Sequence, residues 1–113
     1  MAQPMEPVRE RHSLNLAEAL TAHRTLPARE RLVELDRELR AELAHFMPLV
    51  QRQADDLNRG TIAWNMRVHA LNASRNALAC ELSMSSLHAA MDVAELGRRL
   101  RELVGYARED DPA

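Results

Sequence analysis

Apolar residues in this chain recur at three- and four-residue steps, and no stretch shows the strict alternation of a half-buried strand. Leu32, Leu35, Leu39, Leu43, Phe46, Val50 and Leu57 form one such series, which predicts a single amphipathic helix sustained over about thirty residues. Arg31, Glu34, Arg37, Glu38, Arg40 and Glu42 cover its outer side, several spaced so that opposite charges can meet. Pro48 falls inside the series and removes the bond to the carbonyl of Ala44, so a bend is expected near residues 44–48. Ala89, Val93, Leu96, Leu100, Leu103, Val104 and Ala107 predict a second long helix from Leu87 to about Arg108, with Gly97 beside the stripe where a neighbouring backbone could come close.

The stretch from Thr61 to Leu82 differs from both, because its apolar residues fall on two sides. Ile62, Met66, Ala70, Ala73, Ala77 and Cys80 occupy one, and Trp64, Val68, Leu71, Leu78 and Leu82 roughly the other, with Asn65, His69, Asn72 and Asn76 running between them. A helix that hides two sides needs neighbours on both, which predicts either a central place in a bundle or a face turned toward a second chain.

The punctuation fits these segments. Asn15 followed by Glu18 has the spacing of a capping box and predicts a short helix to about Arg24, ended by Leu26 and Pro27, with Pro27 suited to open the next helix. Gly60 is expected to close the long helix, Thr61 to cap the two-sided one, and the serines among residues 83–86 to cap the last. The expected architecture is all-α: a bundle of three long antiparallel helices with a short N-terminal helix, over residues 13–108. A flexible arm over residues 1–12 and an acidic tail over residues 109–113 are expected to flank it.

Composition narrows the function. The chain has 113 residues, enough for one domain that removes roughly 65% of its unfolded surface from water without staples. All 15 basic residues are arginine, against 17 acidic ones, so no basic field attracts nucleic acid and no lysine is present for Schiff-base chemistry. Three aromatic residues, Phe46, Trp64 and Tyr106, leave little to stack on bases. A single cysteine, Cys80, and no leader-like N-terminus point to a cytoplasmic protein, and no apolar run approaches the length needed to cross a bilayer.

No catalytic set and no metal motif converges. Glu42 and His45 have the spacing of a two-metal bundle ligand pair but lack the matching residues on other helices, and His88 with Asp92 lacks a third ligand. Cys80 sits among alanines as a space-filling residue. No cofactor is expected. The one arrangement able to hold a small polar ligand is Asn65, Arg67, His69, Asn72 and Arg75, where a histidine is flanked by amides and guanidinium groups. Ile62, Trp64, Met66, Leu87 and Met91 are candidate interface residues, because they carry large apolar groups beyond the main stripes.

The Leu26–Pro27 pair, the stretch LRAELAHFMPLVQ from Leu39 to Gln51 and NASRNALACEL from Asn72 to Leu82 resemble an uncharacterised family of small helical proteins from actinobacterial natural-product gene neighbourhoods. That resemblance implies a helical protein in or near a biosynthetic or regulatory gene neighbourhood and carries over no catalytic residue. The stretch ERLVELDRELRAEL from Glu30 to Leu43 is also similar to all-helical chorismate mutases, which implies an enzyme with a dicarboxylate pocket between helices, though the lysine those enzymes use is missing here. The expectation is a non-enzymatic interaction protein, homodimeric or bound to a helical protein partner. The alternative is a small-molecule binder or helical enzyme.

Overall fold

A computed structural model describes residues 15–109, and these are helical or in short connections, with no strand among them. Residues 15–20 are helical (α1), followed after Thr21 by Ala22–Thr25 (α2), Arg29–Asp55 (α3), Ile62–Ala79 (α4) and Ser86–Arg108 (α5). The arm over residues 1–12 and the tail beyond Glu109 lie outside the described residues.

The leucine series forms α3 as its spacing predicts, burying Leu32, Leu35, Leu39, Leu43 and Val50. The helix runs on through Pro48 and stops at Asp55, before Leu57. Gly60 therefore does not close α3 directly; it takes a left-handed φ of 87° in the connection that follows. Leu26 ends α2 with a φ of 46°, and its N–H reaches the carbonyl of Ala22. Pro27 stands two residues further out than expected, since Ala28 is the N-cap of α3 and Arg29 its first residue. Thr61 caps α4 as predicted, its Oγ1 accepting from the backbone N–H of Trp64 at 3.3 Å. Ser85 is the N-cap residue of α5 but makes no side-chain cap bond.

The core joins the α3 leucines to Ala70 and Leu71 of α4, to Ala89, Ala90, Val93, Leu96, Leu100 and Leu103 of α5, and to Ala19 and Ala22 of the leading helices. Each fully buried leucine stabilises the fold by about 2 kcal/mol. The helix with neighbours on several sides is α5, which packs against α2, α3 and α4. A central place is one of the two expectations for the Thr61–Leu82 stretch, the other being a face turned toward a second chain. Its helix, α4, buries only Ala70, Leu71 and Ser74, leaving Ile62 and Met66 exposed.

The reason lies in small side chains. A Cβ placed on Gly97 would stand 3.2 Å from the Cβ of Ala19 and 3.4 Å from Cδ2 of Leu20, so α1 and α5 meet across a contact that any side chain there would crowd. Asn15 and Glu18, the expected capping box, hold this contact from the side. Glu18 accepts from Nε and Nη2 of Arg31 at 2.7–3.1 Å, and Asn15 donates to Glu38 at 2.6 Å while accepting from Arg31 at 2.9 Å. Both side chains have turned from local capping to docking α1 on α3.

Gly97→Leu is expected to lower unfolding stability by about 2 kcal/mol through overpacking. Gly105→Ala, where the added Cβ meets nothing, is expected to raise it by ~0.5 kcal/mol through helix propensity. Urea denaturation of the two variants checks both signs.

Candidate functional site

The five residues expected to hold a small polar ligand separate into two groups. Asn65, His69, Asn72 and Arg75 lie on the solvent side of α4. Asn65 donates to the carbonyl of Gly60 at 3.3 Å, and Arg75 donates to Asn72 at 3.0 Å and to Gln51 of α3 at 3.2 Å. Arg67 points the other way. Its Nε donates to Oε1 of Gln53 at 3.1 Å, Nη1 to the carbonyl of Ala63 at 3.1 Å, and Nη2 to Glu109. The guanidinium also sits 4.7 Å from the ring centroid of Tyr106, a cation–π arrangement.

Arg67 belongs to a polar junction that sequence spacing does not reveal. Gln53, buried near the end of α3, accepts from Arg67 and donates from Nε2 to the carbonyl of Tyr106 on α5 at 2.8 Å, so a single amide ties three helices together. Burial holds the Tyr106 phenol above its ordinary range; Glu102 and Glu109 add to this and Arg67 opposes it. The signal that could have found this junction is a glutamine standing in register with the apolar stripe of α3.

A second arginine fixes the opposite end of α4. Nε of Arg40 pairs with Asp36 at 3.0 Å, Nη1 donates to the carbonyl of Leu78 at 2.9 Å, and Nη2 donates to that of Cys80. A cation set against the last carbonyls of a helix satisfies acceptors that have no partner within it and complements the negative end of its dipole. Arg29 donates to the carbonyl of Ser83 at 2.5 Å, and Asp92 accepts from the backbone N–H of Ser83 at 2.9 Å. Asp92 thus serves the loop between α4 and α5. His45 meets Phe46 edge-on at 5.0 Å. Among the described residues no three His, Cys, Asp or Glu side chains gather so as to hold a metal ion.

The expected interface residues are more uniform. Ile62 and Met66 on α4 and Leu87 and Met91 on α5 are exposed, while Trp64 is half-buried. Cys80 is exposed at the end of α4. None of the helices described is long and apolar enough to cross a membrane.

Two measurements test the polar contacts. Gln53→Ala leaves the Arg67 guanidinium and the Tyr106 carbonyl short of a partner, and is expected to cost about 1–3 kcal/mol in urea denaturation. Hydrogen bonding from Arg31 lowers the Glu18 carboxyl pKa from its ordinary 4.5, with burial opposing and the Arg31 charge assisting. Because the folded value is the lower one, the stabilisation is complete above pH 4.5 and disappears as pH falls through the lowered value. The stability difference between the protein and Glu18→Gln should therefore hold steady near neutrality and shrink below that pH; a constant difference would contradict it.

No curated protein and no solved structure matches this chain. Residues 13–112 match the model of a family of unknown function, DUF6415. That span takes in every helix described above and nearly all of the sequence, so the chain belongs to the DUF6415 family.

Proposed function

We propose that this protein is a non-enzymatic accessory protein of the cytoplasm, homodimeric or bound to a helical protein partner, that acts by association through exposed apolar side chains. One observation carries the proposal. The core is closed by the chain's own helices, yet Ile62 remains 80% exposed, Met66 51%, and Leu87 and Met91 50% each. Apolar groups left in water at turn-spaced positions on two helices, after the core is complete, fit surfaces kept for a partner.

In this proposal the three long helices form an antiparallel bundle. Support comes from the bonds at their ends: Arg67 near the start of α4 with Gln53 near the end of α3, and Arg40 of α3 with the last carbonyls of α4. A ligand pocket through Asn65, Arg67, His69, Asn72 and Arg75 has less support, because four of the five face solvent and the guanidinium of the fifth is already bonded to Gln53, Ala63 and Glu109. A place beside natural-product biosynthesis rests on the sequence resemblance alone.

Light scattering of the full chain tests association directly. The mass should climb from 12.8 kDa toward twice that value as concentration rises through the micromolar range. Replacing Ile62 and Met66, or Leu87 and Met91, with glutamate should hold one of the two double variants at 12.8 kDa. A mass that stays at 12.8 kDa at the highest concentration reached overturns the homodimer.

A further inference from the structure

The turn that folds α1 and α2 back onto α3 is made by a residue ill suited to it. Leu26 takes φ 46° and ψ 66°, the left-handed region, where an L side chain crowds the backbone carbonyl. Pro27 follows it, and a proline ring pushes the residue before it toward extended backbone. Among the described residues no other non-glycine has a positive φ. The Leu26 side chain is 51% exposed, so its burial offsets little of that strain. Beyond the turn the leading segment is held firmly. α1 runs antiparallel to α3, with Asn15 bonded to Glu38 and Glu18 to Arg31, while Ala19 and Leu20 lie over Gly97 of α5. Ala19 and Ala22 are fully buried. The contacts of the segment are specific, and the link that keeps them within one chain is strained.

We propose that two copies of the chain exchange α1 and α2, the leading segment of each seating on α3 and α5 of the other. What covers that surface is shown by the structure, which already seats this segment there. A second copy brings the same Ala19 to Gly97, and the same Glu18 and Asn15 to Arg31. With Leu26 extended, as Pro27 favours, α2 is directed away from its own α3 and toward a neighbour. Exchange keeps every contact of the segment and releases the left-handed turn in both chains. A short connection under strain, here residues 26–28 between α2 and α3, is the feature that favours swapped dimers. This inference goes beyond the association proposed above, because it uses none of Ile62, Met66, Leu87 and Met91.

Charges reversed on separate chains read the exchange. Glu18→Arg and Arg31→Glu each set like charges together within one chain. In an exchanged pair of the two variants, each α1 meets a charge of opposite sign on the other chain. Unfolded in urea and refolded together at equal concentration, they should give a species of twice 12.8 kDa whose urea midpoint exceeds that of either alone. A mixture that unfolds as its two components overturns exchange; if the wild-type chain still reaches twice 12.8 kDa, association through apolar faces survives. A wild-type dimer untouched by glutamate at Ile62, Met66, Leu87 and Met91 supports exchange and overturns that association instead. A wild-type chain that stays at 12.8 kDa after refolding at high concentration overturns both. The double variant Glu18→Arg/Arg31→Glu restores the pair within one chain and reports whether the reversed pair is tolerated beside Glu34. Where it is not, Leu26→Gly decides. Glycine enters the left-handed region freely and favours the closed monomer, so the dimerisation constant should fall at least about fivefold. An unchanged or higher constant overturns exchange.

Discussion

Val93, Leu96, Leu100 and Leu103 of α5 are buried in the core that α3 and α4 share, while Gly97 opens a contact with Ala19 and Leu20 of α1. By helical periodicity Ala90 and Ala94 fall on the same side as Gly97, and both are buried. One helix thus satisfies two sets of neighbours, large side chains on one flank and small ones on the other. With α5 filling that position, the leading helices seal one side and α3 with α4 the other. The core closes without any use of α4's outer face.

That closure explains the placing of the long-range polar contacts. Gln53, Arg67 and Tyr106 tie the ends of α3 and α5 to the first half of α4, and Arg40 caps the far end of α4 from α3. α4 buries few residues of its own, so bonds near both ends fix the register that its apolar contacts leave loosely specified. Arg31 does the same for α1, drawing Glu18 and Asn15 onto α3. In each case an arginine donates to several acceptors at once, which the planar guanidinium does better than an ammonium group, in keeping with a chain that has no lysine.

The sequence made α3 legible because its buried positions from Leu32 to Val50 are all leucine or valine at helical spacing, and a stripe of that strength has one reading. The exchange of roles between α4 and α5 was not legible. Ala90, Ala94 and Gly97 add little to any apolar pattern, yet all three are buried and Gly97 admits a close contact with α1, whereas Ile62 and Met66 carry strong apolar signals and remain in water. Hydrophobic patterning reports what gains by leaving water; it does not report which chain provides the cover. Asn15 and Glu18 show the matching limit for polar residues, since a local capping geometry competes with an arginine brought near only by the fold. Of the candidate ligand residues, the exposure of His69 and its asparagine neighbours agrees with a solvated strip, while the inward turn of Arg67 depends on Gln53, a partner fourteen positions earlier.

A closed core changes what the exposed face of α4 can mean. In obligate dimers the interface completes the core, and the separated chain does not persist. Here the core leucines of α3 and α5, Leu32, Leu35, Leu39, Leu43, Leu96, Leu100 and Leu103, are covered within one chain, so a copy standing alone would lose little by separating. In the proposed association, Ile62 and Met66 are given to a contact that forms and dissolves with concentration. The scarcity of charge on α4 costs little solubility in a chain of net charge -2, because arginines and carboxylates are spread over the other long helices. In that proposal stability and association fall to different side chains, and substitutions at Ile62 and Met66 alter the second with little effect on the first.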